Sequence, residues 1–269
     1  MFKRKINITR VRHNTKELVN DTILIETPVD LILNDDPLVN IVCLSKNLEE
    51  LGVGFLYSIG IIDSFQDIKK IFIDEVDNKI FITLKKDNQV DYKLIQENPV
   101  SRVIDTSCGI SSPWREIIKK ALEKRKAYNI ENFEFKIKAE IILKAVLDMQ
   151  KDTPLFRETG GCHGAALYTQ AGNRITLSED IGRHNAIDKV IGYALIKKID
   201  MKKSLLTTTG RLTGDSVLKA IRANIPILAS VSAAIESGVR LAFGYGLTLI
   251  GFVRGKKMNI YAHPERVLL

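Results

Sequence analysis

Cysteine, tryptophan and proline are scarce in this 269-residue chain, at three, one and seven residues. Cys43, Cys108 and Cys162 cannot all pair and are too scattered for a disulfide framework. None belongs to a Cys-x-x-Cys pair or stands at metal spacing from a second histidine, so no zinc site is expected. Long apolar runs are also missing. The longest, Ile225–Ile235, is broken by Pro226, Ser230 and Ser232, whereas a membrane helix needs roughly twenty predominantly apolar residues. The basic start, Met1–Asn7, has no apolar segment or small-residue cleavage site behind it, so a cytoplasmic protein is expected. Aromatic residues, at 7%, are few and do not interleave with the Lys and Arg clusters, which disfavours nucleic-acid binding. No solenoid repeat, no phosphate loop ending in Gly-Lys-Ser/Thr and no dinucleotide glycine fingerprint after a strand is present.

What remains is globular in composition, 45% hydrophobic and 27% charged, enough for one large domain or two modest ones. The charge is unevenly placed. Residues 1–130 are nearly balanced at +1, and residues 131–269 hold +7 of the net +8. That bias suits either an anionic ligand or partner, or a solvated basic surface.

Residues 1–104 read as a small α+β domain. Ile23–Glu26 and Val29–Leu33 are strand-like, Asn34-Asp35-Asp36-Pro37 is a hairpin turn, and Leu48, Leu51, Phe55 and Ile59 recur at helical spacing over Leu48–Gly60. Ile68–Val76 and Lys79–Leu84 follow as strands. Asp105–Pro113 (DTSCGISSP) has almost nothing to bury and reads as an exposed loop, with Ser112-Pro113 starting a basic helix through Lys126. From residue 129 strands and helices alternate: helix Lys138–Gln150, strands Ala165–Thr169 and Ile175–Leu177, helix Asp180–Lys198, strand Ser204–Thr208, helix Gly214–Asn224, strand Ile227–Ser232, helix Ala234–Tyr245, and strands Leu247–Arg254 and Met258–Ala262. Near-continuous apolar strands between helices predict an α/β layered domain over 129–269.

Ligands of such sheets gather beyond the strands' carboxyl ends. Three ends carry small residues or cations suited to phosphate: Thr209-Gly210-Arg211, Ser232-Ala233-Ala234 and Arg254-Gly255-Lys256-Lys257. The densest polar run is Glu179–Lys189 (EDIGRHNAIDK). With Asp180 as cap, Asp180, His184 and Asp188 share one helix face, and two carboxylates would hold His184 protonated. A charge-paired surface helix is the competing reading. Cys162-His163 follows Gly160-Gly161 on a turn. Neighbouring residues of a strand face opposite ways, which favours His163 as a ligand contact over a Cys–His nucleophile. Cys43, within Ile41–Leu44, reads as a core residue. Cys108 sits in a polar loop before a helix N-terminus and a basic run, a field that favours thiolate.

These segments together resemble the FdhD/NarQ family of formate dehydrogenase accessory sulfurtransferases. The likeness rests on Thr159-Gly160-Gly161 with His163, EDIGRHNAIDK with Arg183 and His184, Thr209-Gly210-Arg211, ASVSA over Ala229–Ala233 with Ser232, LTLIGFVRG from Leu247 onward, Asn259-Ile260-Tyr261, and Gly54-Phe55-Leu56 with Gly60-Ile61-Ile62. The resemblance implies a sulfur carrier that takes persulfide sulfur from a cysteine desulfurase onto Cys108. It then passes that sulfur to a molybdenum or tungsten cofactor bearing two pterin–guanine dinucleotides, destined for formate dehydrogenase. It further implies a three-layer, cytidine-deaminase-like C-terminal domain, a homodimer, and cofactor binding by Phe252, Val253, Arg254, Gly255, Lys256 and Lys257. Four positions depart from the family's pattern: Ser111 for the second loop cysteine, Ile59 for Glu, Thr209 for Ser and Ala234 for Pro. Serine accepts no persulfide, so one thiol must suffice, or the chain only holds the cofactor without sulfurating it. Zinc-deaminase activity is not implied, since Cys162-His163-Gly164 lacks the glutamate and Pro-Cys-x-x-Cys is absent.

Overall fold

The computed structural model describes residues 2–85, the backbone of 103–104, and residues 134–269. Cys108, Ser111, the Asp105–Pro113 loop and the basic helix expected after it lie outside the described residues.

The chain opens with a twenty-residue ribbon that sequence patterning did not reveal. Strands β1 (Lys3–Arg12) and β2 (Thr15–Leu24) pair antiparallel as a separate two-stranded sheet. Polar residues occupy both faces, so the period-two apolar signal is weak; the Ile23–Glu26 strand is only its end. Strands β3 (Thr27–Leu33), β4 (Asp36–Cys43), β5 (Ile68–Asp74), β6 (Lys79–Leu84) and β7 (Val103–Ile104) form a five-stranded sheet ordered β5-β6-β3-β4-β7. The β3–β4 turn holds Asn34 and Asp35 at φ 49 and 69, the left-handed pair that a two-residue hairpin favours.

Helix α1 (Leu48–Ile59) links this sheet to the second half. Its glycines explain how. A Cβ on Gly52 would meet Ile80 and Ile82 of β6 at 2.9 and 3.1 Å. A Cβ on Gly54 would fall 1.8 Å from the carbonyl oxygen of Asp188. Asp188 lies on helix α4 (Arg183–Ile196), and there a Cβ on Gly192 would reach the Glu50 carbonyl oxygen at 1.9 Å. The two backbones therefore cross almost in contact, which only glycine permits at both positions.

The larger sheet joins β9 (His163–Thr169), β10 (Arg174–Asp180), β11 (Ser204–Thr208), β12 (Ile227–Ser230), β13 (Thr248–Arg254) and β14 (Lys257–Ala262) in the order β10-β9-β11-β12-β13-β14. Strands β11, β12 and β13 are mutually parallel, and the other pairs are antiparallel. Helix α2 (Ala139–Lys151) covers one face through Ile142, Val146 and Met149. Helices α4 and α5 (Gly214–Arg222) cover the other, in a core continuous with that of the five-stranded sheet. The short helix α3 (Pro154–Thr159) precedes β9, helix α6 (Glu236–Tyr245) precedes β13, and β8 (Ile137–Lys138) pairs with β15 (Val267–Leu268). The fold is mixed α/β, and no helix among the described residues is long and apolar enough to cross a membrane.

Gly54→Ala should destabilise the protein by about 3 kcal/mol or more, because neither backbone at the crossing can yield. Urea denaturation of the variant beside Gly52→Ala, whose obstacles are flexible isoleucine side chains, measures this; equal, small losses would contradict it.

Candidate functional site

Strand direction places the carboxyl ends of β10, β11, β12 and β13 and the amino end of β9 along one edge. Asp180 pairs with His163, and Thr208 with both Ala165 and Ser230. A run of hydrogen bonds stitches this edge together. Thr209 N donates to the Gly164 oxygen at 2.9 Å, and Gly164 N donates to Thr209 Oγ1 at 3.0 Å. Gly210 N donates to Thr208 Oγ1, and Ser230 Oγ donates to the Gly210 oxygen at 2.7 Å. Ser232 N donates to Ser230 Oγ, and Phe252 N donates to the Ser232 oxygen at 2.9 Å. Thr208 and Ser230 were not singled out from sequence, although hydroxyls at the ends of apolar strands are the signal that marks them.

Cations crown this scaffold. Arg183, half-buried at the start of α4, packs its stem where a Cβ on Gly210 would stand, 2.8 Å from Arg183 Cβ. Its Nε is buried without a hydrogen-bond partner among the described residues. Burial, then the Arg211 charge, lowers the Arg183 pKa. His163 Nδ1 lies 3.1 Å from Thr209 Oγ1. Burial, with Arg183 and Arg211 adding, holds its pKa below the usual histidine value, and Asp180 opposes. His184 is buried, with Nε2 3.4 Å from Thr213 Oγ1. Three strand spacings from β9, about 14 Å away, the β13–β14 turn carries Arg254, Gly255, Lys256 and Lys257, all exposed. Arg254 Nε donates to the Val231 oxygen at 2.9 Å, and its guanidinium lies 5.4 Å from the Phe252 ring centroid. Phe252 sits at φ 51 in a bulge of β13, a strained conformation for a bulky residue and one that often marks a binding edge. The Val253 side chain instead belongs to the core under α2. Gly160, at φ 66, ends α3, and Gly161 lies beside Leu24, where a Cβ would stand 3.5 Å from the leucine side chain; both line a groove of about 540 Å³ together with Ile181.

The polar run Glu179–Lys189 is neither a solvated face nor wholly a ligand site. Gly182, not Asp180, precedes α4, and the expected Asp180–His184–Asp188 triad is replaced by two buried ion pairs. Asp180 pairs with Lys189 at 2.6 Å and Asp188 with Lys219 at 2.7 Å. Ser58 donates to Asp188 at 2.6 Å. Beyond Asp180 at the end of β10, the residues of this run that stand near the edge are Arg183, beside Gly210, and His184, beside Thr213. The carboxylate preference for lysine is physical: an ammonium supplies several donors to an interior charge, an imidazole fewer.

Cys162 and His163 face opposite ways. Cys162 Sγ lies 3.7 Å from Glu179 Oε1, and Glu179 also accepts from Leu155 and Phe156 N at the start of α3. Burial, with Glu179 adding, pushes its thiol up to about 12. Cys43, also buried, is pushed up to about 12 by burial and Asp180. At pH 8 both would be thiolate to only about one part in ten thousand.

Cations and one unpartnered buried donor at the carboxyl ends of a mixed sheet make this edge the candidate site for an anionic ligand. Comparison with known proteins is more specific. A family model described as the FdhD/NarQ family matches residues 24–268, and the chain belongs to that family. The sulfur carrier protein FdhD of Sulfolobus acidocaldarius is 34% identical over 265 residues, covering 98% of each chain. That of Bacillus subtilis is 34% identical over 251 residues, covering 93% of this chain and 91% of its own. A crystal structure assigned as a formate dehydrogenase accessory protein, from Desulfotalea psychrophila, superposes with a TM-score of 0.78 at 26% identity over the whole of both chains.

Iodoacetamide at pH 8 should leave Cys43 and Cys162 unmodified in the native protein and alkylate both after denaturation. Peptide mapping reads this directly, and native labelling of either thiol would contradict their burial.

Proposed function

We propose that this protein carries sulfane sulfur on Cys108 from a cysteine desulfurase to a molybdenum or tungsten bis-guanine-dinucleotide cofactor, for formate dehydrogenase. The observation that carries the reading is the array of Arg183, Arg211 and Arg254–Lys257 along one strand edge, where two pyrophosphates could be met at separate points. Membership of the family and the name shared by its relatives support sulfur carriage. Gly160, Gly161, His163, His184, Thr209, Gly210, Ser232 and Phe252 would shape the same cradle, with Val253 supporting it from the core. The second half would be a three-layer, cytidine-deaminase-like domain, in keeping with helices on both faces of its sheet. The protein would act in the cytoplasm as a homodimer.

The path of the described chain suits this role. Ile104, the last described residue before Cys108, pairs in parallel with Ile41 of β4. Beyond the end of β4, Leu44 N donates to Asp180 at the ligand edge. Cys108 stands four positions after Ile104 in sequence, a span of at most about 14 Å.

Chemically, the Cys108 thiolate attacks the outer sulfur of the donor persulfide and expels the donor cysteine as thiolate. Release of that sulfur as sulfide to the metal regenerates the Cys108 thiolate and consumes two electrons, supplied by a thiol reductant. The protein's part is to hold the ligand's phosphates so that the exchange is intramolecular.

Incubation with a cysteine desulfurase and cysteine should add the mass of one sulfur atom to the Cys108 peptide and none in Cys108→Ser. In cells lacking the native gene, Cys108→Ala should leave formate dehydrogenase inactive; full rescue would favour a chaperone that binds the cofactor without sulfurating it. Arg183→Ala should weaken GDP binding by about tenfold or more, measured by calorimetry, and unchanged affinity would contradict the cradle.

A further inference from the structure

Proton accounting at Thr209 goes one step beyond the cradle. Gly164 N, 3.0 Å from Thr209 Oγ1, can only donate and so occupies one lone pair of the hydroxyl. Among the described residues, the hydroxyl's own proton then has a single acceptor within reach, His163 Nδ1 at 3.1 Å. A ring nitrogen that accepts is unprotonated, so a neutral imidazole in this position carries its proton on Nε2.

We propose that Thr209 is a positioning residue: its hydroxyl donates to His163 Nδ1, fixes the imidazole as the Nε2–H tautomer, and so presents an uncharged N–H donor, on the edge that holds Arg183, to an oxygen of the bound anion. The proposal rests on reading this edge as the anion site. Two features of the edge support it. His163 Nε2 has no hydrogen-bond partner among the described residues, and Arg183 Nε is buried without one. An arginine nitrogen only donates, and Nε2 donates in the proposed tautomer, so a group that completes the two accepts, as diphosphate oxygens do. The charges around His163 act in the same sense. Arg183 on α4 and Arg211 after β11 disfavour the imidazolium, and Asp180 at the end of β10 opposes them more weakly than burial and the arginines together. A third full positive charge would cost more there than a neutral donor. The tautomer adds a hydrogen bond without that repulsion.

The test uses the full chain. Its four histidines, His13, His163, His184 and His263, are few enough for long-range proton–nitrogen spectra to report each tautomer, with His163→Gln giving the assignment. Near neutral pH, wild-type His163 should show the Nε2–H pattern. Thr209→Ser should keep it and bind GDP within about twofold of wild type, whereas Thr209→Val should show a mixture of Nε2–H and Nδ1–H forms and bind about tenfold more weakly. A wild-type Nδ1–H tautomer, or unchanged GDP affinity in Thr209→Val, would overturn the role of Thr209. Valine also strips the acceptor from Gly164 N; should that variant fail to fold, the wild-type spectrum and the serine variant still decide. The two readings fail separately. An Nε2–H tautomer in a protein that binds neither GDP nor pyrophosphate would overturn the anion site, while an Nδ1–H tautomer with intact GDP binding would overturn only the positioning by Thr209.

Discussion

The buried carboxylate of Asp180 is the constraint on which the candidate edge depends. It is fully buried and accepts from Lys189 Nζ at 2.6 Å, Gly182 N at 2.9 Å, Asn185 Nδ2 at 3.0 Å and Leu44 N at 3.1 Å. An interior charge survives only with its hydrogen-bonding capacity filled, and these donors come from three places: the end of β4, the turn into α4 and α4 itself. One residue therefore fixes how the five-stranded layer meets the larger sheet and where α4 begins. Arg183 and His184 inherit their positions from it. Lys189 reinforces the joint by also donating to the Leu44 oxygen at 3.1 Å, and Asn185 by donating to the Val42 oxygen at 2.9 Å.

A second buried pair starts from the neighbouring residue of α4. Asp188 receives both Lys219 and Ser58, so α1, α4 and α5 meet at one carboxylate. Arg222 extends the same seam, donating to the Tyr57 and Ile62 oxygens and to Asp63. Such pairs add little net stability over well-packed apolar groups, but they penalise any other register heavily. Together with the glycine crossing of α1 and α4, they make the N-terminal layer a fixed support for the edge. Glu179 does a comparable service for α3, and so for Gly160 and Gly161.

Much of the larger sheet was legible in sequence because its strands are short apolar runs between amphipathic helices; Ser204–Thr208 appears as a strand with the bounds read from the residues. The β1–β2 ribbon was not, since a two-stranded hairpin that buries little leaves no periodicity to read. The Glu179–Lys189 run was visible as a concentration of polar residues, but its partners, Leu44, Ser58 and Lys219, lie far away in sequence. Spacing within a helix cannot disclose a lysine supplied by another element, and for that reason Asp180, His184 and Asp188 looked like one group. The candidate edge fared better, because cations and small residues just past strand ends need only strand direction to converge. The hydroxyls that stitch it, Thr208 and Ser230, stand at the ends of apolar strands, but what they bond to shows only once the strands are aligned.

In the proposed role, a thiol a few residues beyond β7 works against an edge lined with cations. The most direct test is a crystal structure of the full chain with GDP bound. The expected density places the diphosphate within hydrogen-bonding distance of Arg183 and His163, or at the Arg254–Lys257 turn. Well-ordered nucleotide elsewhere on the molecule, or none at a saturating concentration, would contradict the edge as the ligand site.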